Sequence, residues 1–82
     1  MTMYPLLTSV TPQDGHCLLL EYDSGERRVF DVAPYMTGSW FGELLEPSYF
    51  NCVSMLAGGR GISWPNGQDI APHELYELSI AV

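Results

Sequence analysis

The feature that most limits what this chain can fold into is the alternation in its first third, cut by two short polar turns that each end in glycine. His16 to Tyr22 puts Leu18, Leu20 and Tyr22 on one side and Cys17, Leu19 and Glu21 on the other, the period of a strand with two unlike faces. Leu6 to Thr11 precedes it as an apolar, β-branched run closed by Pro12, and Gln13-Asp14-Gly15 turns the chain. Asp23-Ser24-Gly25 is a tight hairpin loop, with Gly25 where positive φ is needed. Glu26 to Val32 then puts Arg28, Phe30 and Val32 on one face and Arg27, Val29 and Asp31 on the other. Connections this short join antiparallel neighbours, so a three-stranded meander is expected.

The middle of the chain is less regular. Pro34 bars a continuing interior strand and suits the start of a helical turn. Ser39 is expected to N-cap a short helix carrying Trp40, Phe41, Leu44 and Leu45 on its apolar side, with Glu43 and Glu46 outside and Pro47 ending it. Ser48-Tyr49-Phe50 reads as a turn that drops Phe50 into the core. Asn51 to Leu56 reads as a strand, Ala57 to Gly61 as a loop, and Ile62-Ser63-Trp64 as a short final strand.

The densest signal lies over Trp64 to Glu77, where Trp64, Asn66, Gly67, Asp69, Glu74 and Tyr76 form a candidate folding motif. Asn66-Gly67 is a reverse-turn pair, since both residues tolerate positive φ. Pro72 fits a first helical turn, and Glu74 places negative charge at the positive end of that helix. The helix is expected from Pro72 to Ser79, burying Leu75, Tyr76 and Leu78. Asp69 is expected to accept backbone N–H bonds at the Asn66–Gln68 turn or the helix entrance, and Asp31 to fix the turn before Pro34. The alternative pairs one of them with Arg28 or Arg60. Residues 1–82 thus read as one α+β domain with two layers. Three strands, a short helix and two strands make an antiparallel or mixed sheet, and a C-terminal helix packs on it.

Charge narrows the function. Ten acidic residues, three arginines and no lysine give a net charge of −7. A phosphate-binding surface needs clustered cations, so direct nucleic-acid binding is not expected. The acidic surface suits either solubility or a basic protein partner. No positively charged leader with a long apolar run opens the chain, and no apolar run approaches a membrane span. The chain is therefore expected to be cytoplasmic, away from membranes and complete as given.

Chemistry is weakly signalled. His16 and His73 are far apart, no Cys-x-x-Cys or His-x-x-x-His spacing occurs, and neighbours His16 and Cys17 point to opposite faces of a strand, so neither a metal nor another cofactor is expected. Cys17 and Cys52 each sit in an apolar strand-like run and read as buried, reduced thiols. Gly58-Gly59-Arg60-Gly61 looks like a phosphate cradle, yet no Lys-Ser/Thr pair follows; a hairpin loop with Arg60 at its tip fits better. Asp31 and Asp69 lack an evident polar partner for catalysis. No catalytic residue is assigned, and the chain is not expected to be an enzyme.

Aromatic residues are plentiful for so small a core. Trp40, Phe41 and Tyr35 are candidate partner-binding residues, because Trp40 and Phe41 adjoin the Thr37-Gly38-Ser39 breaker. The alternative is that both rings are core.

With these residues in view, the chain resembles a small bacterial family known as domain of unknown function 2442. The resemblance runs from about Pro5 to Ser79. It rests on Gly25-Glu26, Phe30-Asp31-Val32 and Pro34-Tyr35; on Phe41, Leu44, Pro47 and Tyr49-Phe50; and on Trp64-Pro65-Asn66-Gly67, Asp69-Ile70-Ala71-Pro72 and Glu74-Leu75-Tyr76-Glu77. It implies a compact α+β domain with no established activity. Some members carry a DNA-binding helix-turn-helix after this domain, and many are encoded beside another small protein, as toxin–antitoxin pairs are. This sequence ends at Val82, so no such module is expected here. The combined expectation is a non-enzymatic interaction module that binds another protein or a second copy of itself. The alternative is a small acidic regulatory protein, antitoxin-like, that masks a basic partner encoded nearby.

Overall fold

The computed structural model describes residues 4–82. Three strands come first: β1 (Leu7–Gln13), β2 (Cys17–Tyr22) and β3 (Arg27–Asp31). A 3-10 turn over Ala33–Tyr35 leads to helix α1 (Gly38–Phe41), a further 3-10 turn over Gly42–Leu45, and helix α2 (Pro47–Phe50). Strand β4 (Ser54–Met55), a 3-10 turn over Ala57–Gly59, β5 (Ile62–Ser63), β6 (Asp69–Ile70), helix α3 (Pro72–Glu77) and β7 (Ile80–Ala81) complete the chain. The architecture is α+β on two antiparallel sheets, one in the order β1-β2-β3-β7 and one in the order β4-β5-β6.

The meander forms as its alternation requires. Leu18, Leu20, Tyr22 and Phe30 point into the core, and Leu44, Phe50, Ile62, Trp64, Ile70 and Leu75 close over them, so the helices and the second sheet lie on that face. Each such side chain contributes about 1.5–3 kcal/mol on burial. Gly25 adopts φ 90° in the hairpin loop. Strand β1 runs on through Pro12 to Gln13 rather than stopping there. As an edge strand it has a single neighbour, so the missing N–H is tolerated. A bulge between Leu7 and Ser9 lets Leu7 stay buried while Ser9 stands opposite Glu21.

The opposite face of this sheet holds residues of the other parity. Register sets Thr11, Leu19, Val29 and Ile80 side by side as one cross-strand row. Ser9, Glu21 and Arg27 form the row to one side, and Gln13, Cys17 and Asp31 the row to the other.

Several elements depart from expectation. Thr37, in extended conformation, precedes the first helix, and Ser39 lies inside it. The helix tightens to 3-10 at Gly42, a poor helix former, leaving Leu44 buried and Leu45 exposed. The Asn51–Leu56 run yields only the two-residue β4, with Asn51 and Cys52 in the turn after α2, so Cys52 is exposed rather than buried. Strand β5 is not the last, for β6 and β7 follow it. Helix α3 stops at Glu77, Leu78 is exposed, and the chain turns back to lie beside β3. Arg28 sets that reversal: its Nε donates to Ser79 Oγ at 2.6 Å and its Nη2 to the Ser79 carbonyl at 2.8 Å. No helix among the described residues is long and apolar enough to cross a membrane.

Candidate functional site

The turn between β5 and β6 organises the most elaborate polar site. Gly67 N–H donates to the Trp64 carbonyl at 2.9 Å, and Trp64 N–H to the Gln68 carbonyl at 2.8 Å. This is a three-residue hairpin loop with Gly67 in the left-handed region at φ 96°. Only Gly67 uses positive φ; Asn66 does not. The side chain of Asn66 instead donates to both Glu43 oxygens, at 3.1 and 3.0 Å. Gln68 is fully buried. Its Nε2 donates to the Trp40 carbonyl at 2.8 Å and to Glu43 Oε1 at 2.7 Å. Its Oε1 accepts the Tyr49 hydroxyl at 2.7 Å, and that hydroxyl accepts Asn66 N–H at 2.8 Å. Glu43, expected on the outer side of its helix, folds over this turn.

Trp40 stands on the rim of the network. Its indole Nε1 donates to the Asn66 carbonyl at 3.3 Å, and its ring meets Phe41 edge-on at 5.5 Å between centroids. Phe41 packs against the core while Trp40 remains 52% exposed. The two adjacent rings thus divide between core and surface. Tyr35 is turned elsewhere: its ring lies on Phe30 at 5.7 Å, and its hydroxyl donates to Glu74 at 2.7 Å. Burial, with that bond, pushes the Tyr35 phenol up to about 12. Trp64 is core, its indole donating to the Phe50 carbonyl at 2.9 Å.

A second cluster surrounds Tyr76. The Arg28 guanidinium lies 4.5 Å from the centre of its ring, and its hydroxyl donates to Glu26 at 2.8 and 3.0 Å. The Tyr76 bond, helped by Ser24 and Arg28, holds the Glu26 carboxyl below its ordinary range despite some desolvation. Tyr22 meets the Tyr76 ring edge-on at 5.4 Å, and its own buried hydroxyl has no hydrogen-bond partner among the described residues. Burial pushes that phenol up to about 12.

The carboxylates singled out in sequence behave differently from each other. Asp31 accepts Ala33 N–H at 3.0 Å and fixes the turn before Pro34. Asp69 is exposed, and among the described residues its carboxylate takes no hydrogen bond, because its buried neighbours Gln68 and Ile70 point inward on either side of it. Neither pairs with arginine; the carboxylate beside Arg28 is Glu26, at 3.4 Å.

A shallow cleft of about 340 Å3 opens where the β1–β2 turn meets α2, between Pro12, His16, Pro47 and Phe50, with Asp14 and Asn51 at its edge. His16 adopts φ 61° there and meets Phe50 edge-on at 5.7 Å. Neither thiol lines the cleft: Cys17 lies on the other sheet face, and the Cys52 thiol donates to the Ser48 carbonyl at 3.4 Å. Among the described residues no group of three or more His, Cys, Asp or Glu side chains could hold a metal ion.

Gln68 and Glu43 are the residues that sequence reading missed. Polar residues in and beside turns pass for surface, although the alternation Gln68-Asp69-Ile70 places Gln68 on the side of Ile70.

A family model described as "Protein of unknown function (DUF2442)" matches residues 7–81. No curated protein and no solved structure matches the chain.

Proposed function

The chain belongs to the DUF2442 family of proteins of unknown function, and on that premise we propose that it is a non-enzymatic protein-interaction module acting in the cytoplasm. One observation carries the reading: Trp40 is half exposed yet fixed, by its indole bond to Asn66 and its contact with Phe41. A rigid exposed indole loses little side-chain entropy on binding, and tryptophan is among the residues that most often dominate interfaces. Glu43 beneath it adds negative charge, which favours a partner carrying an apolar socket beside a cation.

A second reading rests on the net charge of −7. An acidic regulatory protein, antitoxin-like, would use the same corner to mask a basic partner encoded nearby. Both readings exclude nucleic acid as the ligand, since three arginines release few counterions.

The test is capture of partners from the host by the full chain and by Trp40→Ser. The substitution should lose the partner while costing no more than about 1 kcal/mol in a denaturant melt. Retention of the partner by a folded Trp40→Ser protein overturns the assignment of this surface. A basic partner captured by the wild type alone favours the second reading.

A further inference from the structure

We infer that the open face of the β1-β2-β3-β7 sheet is a self-association surface, closed by a second copy of this chain. The surface is separate from the Trp40 corner. Its central row sets Leu19, Val29 and Ile80 side by side, with Thr11 at the end. A one-sided antiparallel sheet ordinarily presents polar residues to water. Here β2 is apolar on both faces from Cys17 to Leu20. None of the row belongs to the core, whose helical residues Leu44, Phe50 and Leu75 all pack on the opposite face, and Ile80 is 73% exposed.

Charge and symmetry identify the occupant. The chain carries −7, but the ionised residues in the three rows of this face are Glu21, Arg27 and Asp31, a net −1 from one positive and two negative groups. Like-charge repulsion between copies is therefore weaker here than the overall charge implies. Arg27 is exposed, and no carboxylate lies within ion-pair distance of it among the described residues. A two-fold axis between two such faces, running along the central row, lays that row on its own copy. It also exchanges the flanking rows, bringing Arg27 of each copy over Asp31 of the other. Both lie on β3, one on each side of Val29. The interface is thus apolar at its centre with two symmetric ion pairs at its rim, the isologous pattern of a C2 dimer. Strands then pack antiparallel in the aligned manner of sheet sandwiches. Four strands at about 4.8 Å spacing make a small face, so the dimer belongs to the weak, reversible size class.

Sedimentation velocity of the full chain over a concentration series tests this, with circular dichroism confirming the fold. The wild type should pass from monomer to dimer with rising concentration. Arg27→Asp sets like charges across the rim and should weaken the dimer by roughly a hundredfold. The exchange Arg27→Asp with Asp31→Arg restores complementary charges and should recover most of that loss. Val29→Thr, which keeps strand preference while removing apolar surface, should weaken it about tenfold. A wild type that stays monomeric at every attainable concentration overturns the proposal. So does a dimer that survives folded Arg27→Asp, or a folded exchange variant that stays monomeric. A dimer lost instead in Trp40→Ser would assign self-association to the other surface and overturn this one.

Discussion

The Tyr49 hydroxyl donates to Gln68 Oε1 at 2.7 Å, joining α2 to the β5–β6 turn through a fully buried amide. Every polar atom of that amide is engaged, since Nε2 reaches both Trp40 and Glu43. Gln68→Ala removes the amide and strands those partners, and should cost roughly 2–4 kcal/mol. Asp69→Ala, one residue on, touches an exposed carboxylate and should shift stability by no more than about 0.5 kcal/mol. Urea midpoints of the two variants, measured together, check the contrast.

Tyr22 is the reverse case, a buried hydroxyl with no partner among the described residues. Tyr22→Phe keeps the edge-on contact with Tyr76 and deletes only the unsatisfied group. Stability should rise by about 1 kcal/mol, which a thermal or denaturant melt would show. A loss of stability would mean that the hydroxyl has a bonding partner after all.

Stability should fall on the alkaline side. Tyr22 and Tyr35 are both held up to about 12 when folded, chiefly by burial. An unfolded tyrosine titrates near about 10. Between these values the native state keeps protons that the unfolded state releases, so stability declines as pH rises across the window and is undiminished below it. Phenolate absorbance of the native chain should show Tyr22 and Tyr35 among the late-titrating tyrosines, together with Tyr4 and Tyr76, whose hydroxyls are held up by their bonds to Glu77 and Glu26. Tyr35→Phe should remove one and flatten the decline.

Gly61 should resist substitution. It sits at φ 114°, and a Cβ there would lie 2.6 Å from the Ile70 carbonyl oxygen. Gly61→Ala should cost roughly 2–5 kcal/mol, because both the backbone and the β5–β6 pairing must shift. Equilibrium unfolding would show the loss, and loss of soluble folded protein would be its extreme form.

How much was legible follows from the range of each signal. The meander could be read because period-two alternation and glycine turns are local, and the faces of β2 came out residue by residue. The second sheet was only half readable: two-residue strands carry no period, β6 is defined only by its hairpin pairing with β5, and β7 exists because distant β3 meets it. Helix α3 was placed correctly at Pro72 and run too far, since Ser79 and Arg28, which end it, lie 51 positions apart. The Trp40 corner was partly visible. An aromatic pair beside a glycine breaker pointed to the place, while the buried Gln68 that fixes it looked like an ordinary turn residue.

The short strand β7 also bears on the order of assembly. The contacts of β1, β2 and β3 are between neighbours in sequence, so they close small loops and can form early. Docking Ile80 beside Val29 closes a far larger one, at greater entropic cost. During that interval the Val29 edge of β3 has open hydrogen-bonding groups and no neighbour, and another nascent chain could take the place reserved for the C-terminus. Refolding yield should therefore depend on concentration more steeply than native association does, and the Arg28–Ser79 bonds act as the latch that ends the exposure.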